Sequence, residues 1–309
     1  MKFSIVIPLY NKQKSVRRAI VSALDQQGID QRELEILVVN DGSLDGSAMV
    51  VEAVREEFVD KRIKLISQSN AGVSAARNRG IAESSGQYIC FLDSDDTYRP
   101  NFLEEISKLI EMFPESLIFG TSYAFVYGRQ GKIKDARTAK ASSLATRRLI
   151  DNFFWEAATS DLPFCASSFC APKYVFTELG GFPEGENMGE DQDFYIRAAL
   201  HGTIAHSKRV CANYYIDVDH SLMDSVSPDK EMPYSKRLQA RLDNGQVPEK
   251  FVEGAKLLVA GHLTDLARRN LATKSVQTAK RFLIDRRSRK SLFKWLYWSL
   301  KAKFAELRY

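Results

Sequence analysis

Three carboxylates, Asp93, Asp95 and Asp96, fall within four positions directly after the apolar run Tyr88-Ile89-Cys90-Phe91-Leu92. A run of that length and apolarity reads as a strand buried on both faces. Asp93 and Asp95 then leave its carboxyl end together, where open parallel sheets hold their ligands. Carboxylates that close repel one another unless a cation lies between them. Hard oxygen ligands with no His or Cys nearby suit Mg²⁺ or Mn²⁺, usually shared with substrate phosphates. The same residues also allow a solvated acidic turn or a helix cap, so the elements around them decide.

Those elements alternate. Ser4–Leu9, Leu34–Asn40, Ile63–Ser67, Tyr88–Leu92 and Leu117–Gly120 read as strands. Helical patterns over Ser15–Gln27, Ser47–Phe58, Val73–Ser84 and Pro100–Met112 separate them, the last with Pro100 suited to a first turn. Alternation of this kind predicts an α/β fold, a mostly parallel sheet flanked by helices. Residues 128–145 are polar and basic and read as a loop, and 235–309 are helical in composition. The expected division is a domain over 1–228, with halves 1–120 and 121–228, followed by a helical extension over 229–309.

Composition bounds the function. A chain of 309 residues with 44% hydrophobic and 27% charged residues has the makeup of a water-soluble globular protein. No stretch reaches the ~20 apolar residues of a membrane span. Ile5-Val6-Ile7-Pro8-Leu9 is too short for a signal segment, and the four cysteines show no paired zinc spacing, so buried thiols and a cytoplasmic setting are expected. Residues 280–309 hold ten Lys or Arg against Asp285 and Glu306. That segment is +8 in a chain of +5, which leaves the rest at −3.

The other strand ends are polar too: Pro8-Leu9-Tyr10-Asn11, then Val39-Asn40-Asp41-Gly42-Ser43, then Asn70-Ala71-Gly72 running on to Ala76-Arg77-Asn78. A doubly wound sheet brings all of them to the edge that carries Asp93 and Asp95. Singly each is an ordinary turn; jointly they make a polar cleft.

These segments, with Phe91-Leu92-Asp93-Ser94-Asp95-Asp96, Gly180-Gly181-Phe182 and Gly189-Glu190-Asp191-Gln192-Asp193, occur in an order that resembles a family 2 glycosyltransferase of the GT-A fold. The resemblance runs from about residue 3 to about 225. It implies that Pro8, Tyr10 and Asn11 surround a nucleobase, and that Asp41, an acceptor only, takes the imide N–H of uracil or thymine. It places Asn70 and Arg77 toward the diphosphate or donor sugar, and Asp93 and Ser94 at the ribose. Asp95, with Asp93, is the implied ligand of Mn²⁺ or Mg²⁺. Asp191 is the implied general base, with Glu190 beside it; dipole complementation at a helix start is the alternative for both. One base opposite the leaving group implies direct displacement, so an α-linked nucleotide sugar yields a β-linked product.

Two features depart from the pattern. The Gln-x-x-Arg-Trp motif and membrane helices of processive members are absent from the sequence, which favours one sugar per encounter. His220 is the candidate third metal ligand, but its spacing after Tyr214-Tyr215 does not match cleanly, and a surface loop explains it as well. His201, His206 and His262 show no ligand spacing.

The tail raises a separate question. Leu292, Phe293, Leu296, Leu300, Phe304 and Leu307 fall on about a third of a helical wheel, with Lys290, Lys294 and Lys301 toward the other side and Trp295 and Trp298 flanking. Residues 286–309 therefore suit either an anionic membrane surface or packing on the catalytic domain.

The expected partners are a nucleotide-sugar donor, with a UDP-sugar favoured, and a glycan or lipid-linked glycan acceptor. Surface-glycan synthesis in the cytoplasm, with peripheral contact at the inner membrane face, is the expected setting. A sugar nucleotidyltransferase is the second enzyme class, but Tyr10-Asn11-Lys12 lacks the glycine-rich loop expected there. A nucleic-acid-binding protein acting through the basic tail is the third reading; it leaves the carboxylates unexplained, and no nucleic acid partner is expected.

Overall fold

Every residue of β1 (Phe3–Leu9) and of β2 (Leu34–Asp41) is buried, as the apolar runs require of strands covered on both faces. The structure, a computed structural model, describes residues 1–59, 62–128, 131–138, 145–186, 188–216 and 229–306. Its described residues form two compact units, Met1–Asp151 with Leu162–Leu222, and Asn152–Asp161 with Met223–Tyr309.

In the first unit, β3 (Ile63–Gln68), β2, β1 and β4 (Tyr88–Phe91) pair in parallel in that order. An antiparallel strand β9 (Phe169–Pro172) then separates β4 from β6 (Ser116–Tyr127), and β10 (Thr203–Ile216) runs parallel to β6. Because β9 opposes both neighbours, β6 and β10 point the same way as β1 to β4. Three short strands, β5 (Thr97–Tyr98), β7 (Lys132–Asp135) and β8 (Arg147–Leu149), add antiparallel to β10, β6 and β10 respectively. The predicted α/β architecture with a mostly parallel sheet is thus present. Residues 128–145, expected as a loop, contain β7, and Leu117–Gly120 proves to be one end of the longer β6.

The two sheet faces carry different helices. Ile5, Ile7 and Leu9 join a core cluster with Val16, Ala19 and Ile20 of α1 (Val16–Leu24), Val51 and Val54 of α2 (Ser47–Phe58), and Leu103 and Ile106 of α4 (Phe102–Met112). Val6 and its cross-strand partner Phe91 point the other way. Val6 lies under α3 (Val73–Glu83), and Phe91 packs on Phe176 of α6 (Lys173–Leu179) and on Phe182. Helix α7 (Glu190–His201) joins that face when Phe194 stacks on Phe176 at 4.6 Å.

Pro8 sits inside a central strand, where its missing N–H normally costs a ladder bond. Here it does not. The Val6 carbonyl accepts the Leu92 N–H at 3.0 Å, so even-numbered residues of β1 face β4. The next bond would need the N–H of residue 8, and there the partner chain turns away as Leu92-Asp93. The proline therefore marks the point where β1 and β4 separate and the cleft opens.

The second unit comprises α5 (Phe153–Thr159), α8 (Pro233–Asp243), α9 (Glu249–Ala272), α10 (Val276–Ile284) and α11 (Leu292–Glu306). Gly254 lets α5 lie directly on α9: a Cβ there would stand 2.8 Å from the Trp155 nitrogen. Arg287 reaches Glu231 through two hydrogen bonds of 3.0 and 2.8 Å and so ties the segment before α11 to the start of α8. No helix among the described residues is long and apolar enough to cross a membrane. All four cysteines are buried free thiols, as expected.

Helix α3 reaches the sheet through Gly80, where a Cβ would meet Val6 Cγ1 at 2.2 Å. Gly80→Ala is expected to lower stability by about 1–3 kcal/mol in urea denaturation through overpacking, although Ala is the better helix former. Shortening the partner with Val6→Ala should recover part of that loss. An unchanged midpoint in Gly80→Ala would show that α3 can lift off the strand freely.

Candidate active site

The carboxyl ends of β1, β2, β3 and β4 deliver Asn11, Asp41, Asn70 and Asp93 to one edge of the sheet, as the alternation required. Asp93 lies two residues past β4. Its backbone N–H donates to Ser167 Oγ at 3.0 Å, and the same hydroxyl donates to Asp96 Oδ2 at 2.5 Å. Asp96 also accepts the Tyr215 N–H from β10 at 3.0 Å. Asp96 is fully buried, and burial followed by the charges of Asp95 and Asp93 holds its carboxyl well above the ordinary range. It locks the acidic turn to β10. Ser94 is buried in that turn. Asp93 and Asp95 stay partly open, with side chains 26% and 20% exposed.

Arg77 joins the two ends of the constellation. Its side chain is 3% exposed, with Nη2 2.7 Å from Asp93 Oδ1 and Nη1 2.5 Å from Glu190 Oε1. Burial alone would favour loss of the proton, but the charges of Asp93 and Glu190 outweigh it and hold the guanidinium firmly charged. Its flank lies 5.3 Å from the Phe182 ring. Nη1 and Nη2 thus both pair with protein carboxylates at the edge where the resemblance places the diphosphate or donor sugar.

Glu190 and Asp191 open α7, after Gly189 in a left-handed conformation (φ 82°). Glu190 is buried against Arg77, while Asp191 is half-buried. Burial first, then the neighbouring Glu190 charge, push the Asp191 carboxyl up to about 7, against the opposing pull of Arg77. A carboxyl that titrates near neutrality can exchange a proton with a substrate hydroxyl.

The turn before α7 is held from both sides. Asn78, on α3, pairs its amide with the Phe182 backbone through two 2.8 Å bonds. Arg197 of α7 donates to the carbonyls of Leu179, Gly180 and Gly181 at 2.6–2.7 Å. A Cβ on Gly181 would stand 2.3 Å from Asn78 Oδ1, which is why the Gly180-Gly181-Phe182 segment needs its second glycine.

The residues assigned to the nucleobase lie on the β1 and β2 side. Tyr10 is 44% exposed, and Pro8 is buried within β1. Asn11 adopts a positive φ of 51° and accepts the Leu44 N–H at 2.8 Å, lacing the β1 loop to the β2 loop. Asp41 is buried and accepts from Gln68 at 2.8 Å, Ala71 N–H at 2.9 Å and Gly72 N–H at 2.8 Å. It thus holds the Ala71-Gly72 backbone that leads into α3, and Asn70 donates back to its carbonyl at 3.1 Å. Two carboxylate oxygens offer about four acceptor positions, so one remains for a ligand donor. Gly42 permits the approach, since a Cβ would meet the Asn70 nitrogen at 2.9 Å.

His220 lies outside the described residues. Among those described, no group of three or more His, Cys, Asp or Glu could hold a metal ion. Two hard, partly open carboxylates do fit a Mg²⁺ or Mn²⁺ ion that takes its other ligands from substrate phosphates and water. They do not fit an ion caged by protein alone. Residues that sequence reasoning passed over include Ser167, Asn78 and Lys12, whose Nζ lies 2.7 Å from Asp95 Oδ2. Lys12 carried a signal, since it follows Tyr10-Asn11 at a strand end facing the acidic turn. Ser167 carried none, because it comes from a distant segment.

Removing the guanidinium strands two carboxylates at once. Arg77→Met is expected to cost about 3–5 kcal/mol in urea denaturation, and adding Glu190→Gln should return part of it because one unpaired charge then remains. A cost below ~1 kcal/mol, the range of exposed pairs, would show that the bridge is not what holds the cluster.

The model of Glycosyl transferase family 2 matches residues 4–172, which carry β1 to β9 and the acidic turn. The glycosyltransferase GlyA of Streptococcus pneumoniae is 37% identical over 124 residues, 40% of this chain and 17% of GlyA. The minor teichoic acid biosynthesis protein GgaA of Bacillus subtilis is 37% identical over 106 residues, 34% of this chain and 24% of GgaA. The chain thus spans a minor part of either relative's length. The crystal structure of S. aureus TarS 1-349 in complex with UDP-GlcNAc aligns with a TM-score of 0.71 over 99% of this chain and 89% of that one, at 18% identity, a likeness of fold. A family match over more than half the chain, on the strands whose ends gather these carboxylates, makes the chain a member of glycosyltransferase family 2.

Proposed function

We propose that this chain is a metal-dependent, inverting glycosyltransferase that moves one sugar from a nucleotide-diphosphate sugar to a glycan hydroxyl. The observation that carries the reading is Asp191: a carboxyl pushed up to about 7, joined through Glu190 and Arg77 to the acidic turn at Asp93. In this reading the acceptor oxygen attacks the anomeric carbon as the bond to the diphosphate breaks. Asp191 takes the acceptor's proton, and the electron pair of the broken bond leaves with the nucleoside diphosphate. Asp95 and Asp93 would hold the divalent cation, which supplies Lewis-acid stabilisation of the leaving charge when bound. A uridine donor is favoured because TarS has been crystallised with UDP-GlcNAc and with UDP. Pro8, Tyr10, Asn11 and Asp41 would surround the base, Asn70 and Ser94 would line the donor cleft, and Arg77 would position Asp93. GgaA, named for teichoic acid biosynthesis, supports a cell-surface glycan as acceptor.

The peripheral membrane contact of this reading rests on α11. Trp295 turns inward and donates to the Leu283 carbonyl at 2.8 Å, and Ala302 is buried. Leu292, Phe293, Leu296, Leu300 and Phe304 all stay exposed, Phe293 at 87%. The longer apolar side chains therefore face outward among exposed Lys294, Lys301 and Lys303. A segment of +8 disfavours a second copy of itself and favours an anionic bilayer.

Substitution at Asp191 and the pH dependence of rate and stability test the assignment of the base. Asp191→Asn should retain donor binding, measured by thermal shift with Mn²⁺ and a panel of nucleotide sugars, and abolish transfer; retained transfer would exclude Asp191 as base. In the unaltered enzyme, kcat/KM should rise with pH through about 7 as Asp191 loses its proton. Glu190→Gln removes a charge that raises Asp191, so the rising limb should move to lower pH. Stability runs oppositely. The folded chain keeps a proton from the ordinary value of 3.8 up to about 7 that the unfolded chain releases, so stability falls as pH rises through that window. Asp191→Asn should flatten that fall.

For α11, the protein should float with phosphatidylglycerol vesicles and not with phosphatidylcholine vesicles, and Phe293→Glu with Leu300→Glu should abolish flotation. Equal binding to both lipids, or self-association in place of lipid binding, would refute the anionic-membrane contact.

A further inference from the structure

Lys12 stands where the proposed metal chemistry leaves least room for a lysine. Its ammonium lies 2.7 Å from Asp95 Oδ2, with side chains only 14% and 20% exposed. The backbone that carries it is fixed by the loop after β2. Asn11 N–H donates to Ser43 Oγ at 3.1 Å, Lys12 N–H to Ser47 Oγ at 2.9 Å, and Gln13 N–H to Asp45 Oδ2 at 3.1 Å. Ser43 belongs to the Asp41-Gly42-Ser43 turn assigned to the nucleobase. The anchor of the lysine is therefore continuous with the donor cleft, while its four-carbon stem leaves the charge able to move.

We propose that Lys12 is a tethered counter-ion that holds Asp95 in the donor-free enzyme and passes to the donor's diphosphate when the divalent cation takes Asp95. This rests on the reading of Asp95 as a metal ligand. Two physical consequences follow from the pairing. An ammonium on the carboxylate must be displaced, and its positive charge repels a cation approaching the same oxygen. Both weaken metal binding before the donor arrives. A diphosphate offers Lys12 a more highly charged partner than one carboxylate. Donor and metal binding then become mutually reinforcing, since each removes an obstacle to the other. Lys12 is on this account a positioning residue that couples the two ligands.

Binding of Mn²⁺, followed by loss of the free-ion electron paramagnetic resonance signal with and without UDP, tests this without any turnover. Lys12→Met should bind Mn²⁺ alone about two- to fivefold more tightly than the unaltered protein, the scale of one partly exposed ion pair. UDP should tighten Mn²⁺ binding in the unaltered protein by more than in Lys12→Met. Lys12→Arg, which keeps the charge, should behave like the unaltered protein, and Lys12→Gln serves should Lys12→Met fail to fold. Equal or weaker Mn²⁺ binding in the neutral variants, with binding still lost in Asp95→Asn, would overturn the role of Lys12 and leave the metal reading standing. Mn²⁺ binding that survives in Asp95→Asn, or no Mn²⁺ binding in any form, would overturn both.

Discussion

The cluster depends on one buried cation. Placing the Arg77 guanidinium almost wholly out of water is unfavourable unless its charge is met at close range. Asp93 and Glu190 meet it from two segments separated by about a hundred residues, and Phe182 offers a ring face to its flank. A lysine could not serve both carboxylates in this way, because the guanidinium fork fixes two directions at once. Since Asp93 follows β4 and Glu190 begins α7, the same contact sets the distance between the acidic turn and the start of that helix. Asn78, one residue on, grips the Phe182 backbone. Helix α3 is thus the part on which the leaving-group side and the proton-transfer side of the proposed reaction are aligned.

Keeping α3 in place requires the rest of the first unit. Asp41 holds the Ala71-Gly72 backbone that leads into it, Gly80 lets it lie on Val6, and Gly42 lets the β2 loop approach Asn70. The Asp41 contact joins a strand end to the next loop by hydrogen bonds to backbone, while the two glycines permit close packing. Residues that resemblance gives to the donor therefore have structural duties as well. Asp41 and Asn11 cannot be removed without loosening the cleft they are expected to line.

Much of this was legible in the sequence, and the reason is periodicity. Apolar runs such as Ile5–Leu9 and Leu34–Val39 are set by burial on both faces, and the helices between them by spacing of Val, Ile and Leu, so the alternation and the polar edge follow directly. Strand β9 was not legible. Phe169-Cys170-Ala171-Pro172 is short, carries no alternation, and enters the sheet antiparallel from far along the chain. Strand β5 is two residues long and exists because β10 passes it. At the site, motifs identified Asp93, Asp95, Glu190 and Asp191, but pairing is a tertiary property. Nothing local to Arg77 says that both its forks turn inward, and nothing local to Ser167 says that it joins Asp93 to Asp96. The outward turn of the Leu and Phe side chains of α11 was likewise unreadable, because a helical wheel defines a stripe without saying which way it faces.

Charge balance explains why the proposal of a base settles on Asp191. Five carboxylates, Asp93, Asp95, Asp96, Glu190 and Asp191, gather with few cations to meet them. Arg77 answers Asp93 and Glu190, and Lys12 answers Asp95. Asp96 is buried, accepts hydrogen bonds from Ser167 and Tyr215, and holds its proton well above the ordinary range. Asp191 has no dedicated counter-ion among the described residues, and burial with the Glu190 charge raises its carboxyl against the pull of Arg77, so its proton is the one balanced near neutrality. Any event that removes negative charge from Glu190 or Asp93 makes Asp191 a weaker base, and any event that draws Arg77 away makes it a stronger one. The strength of the proton acceptor is therefore tied, through a single guanidinium, to the charge state of the acidic turn.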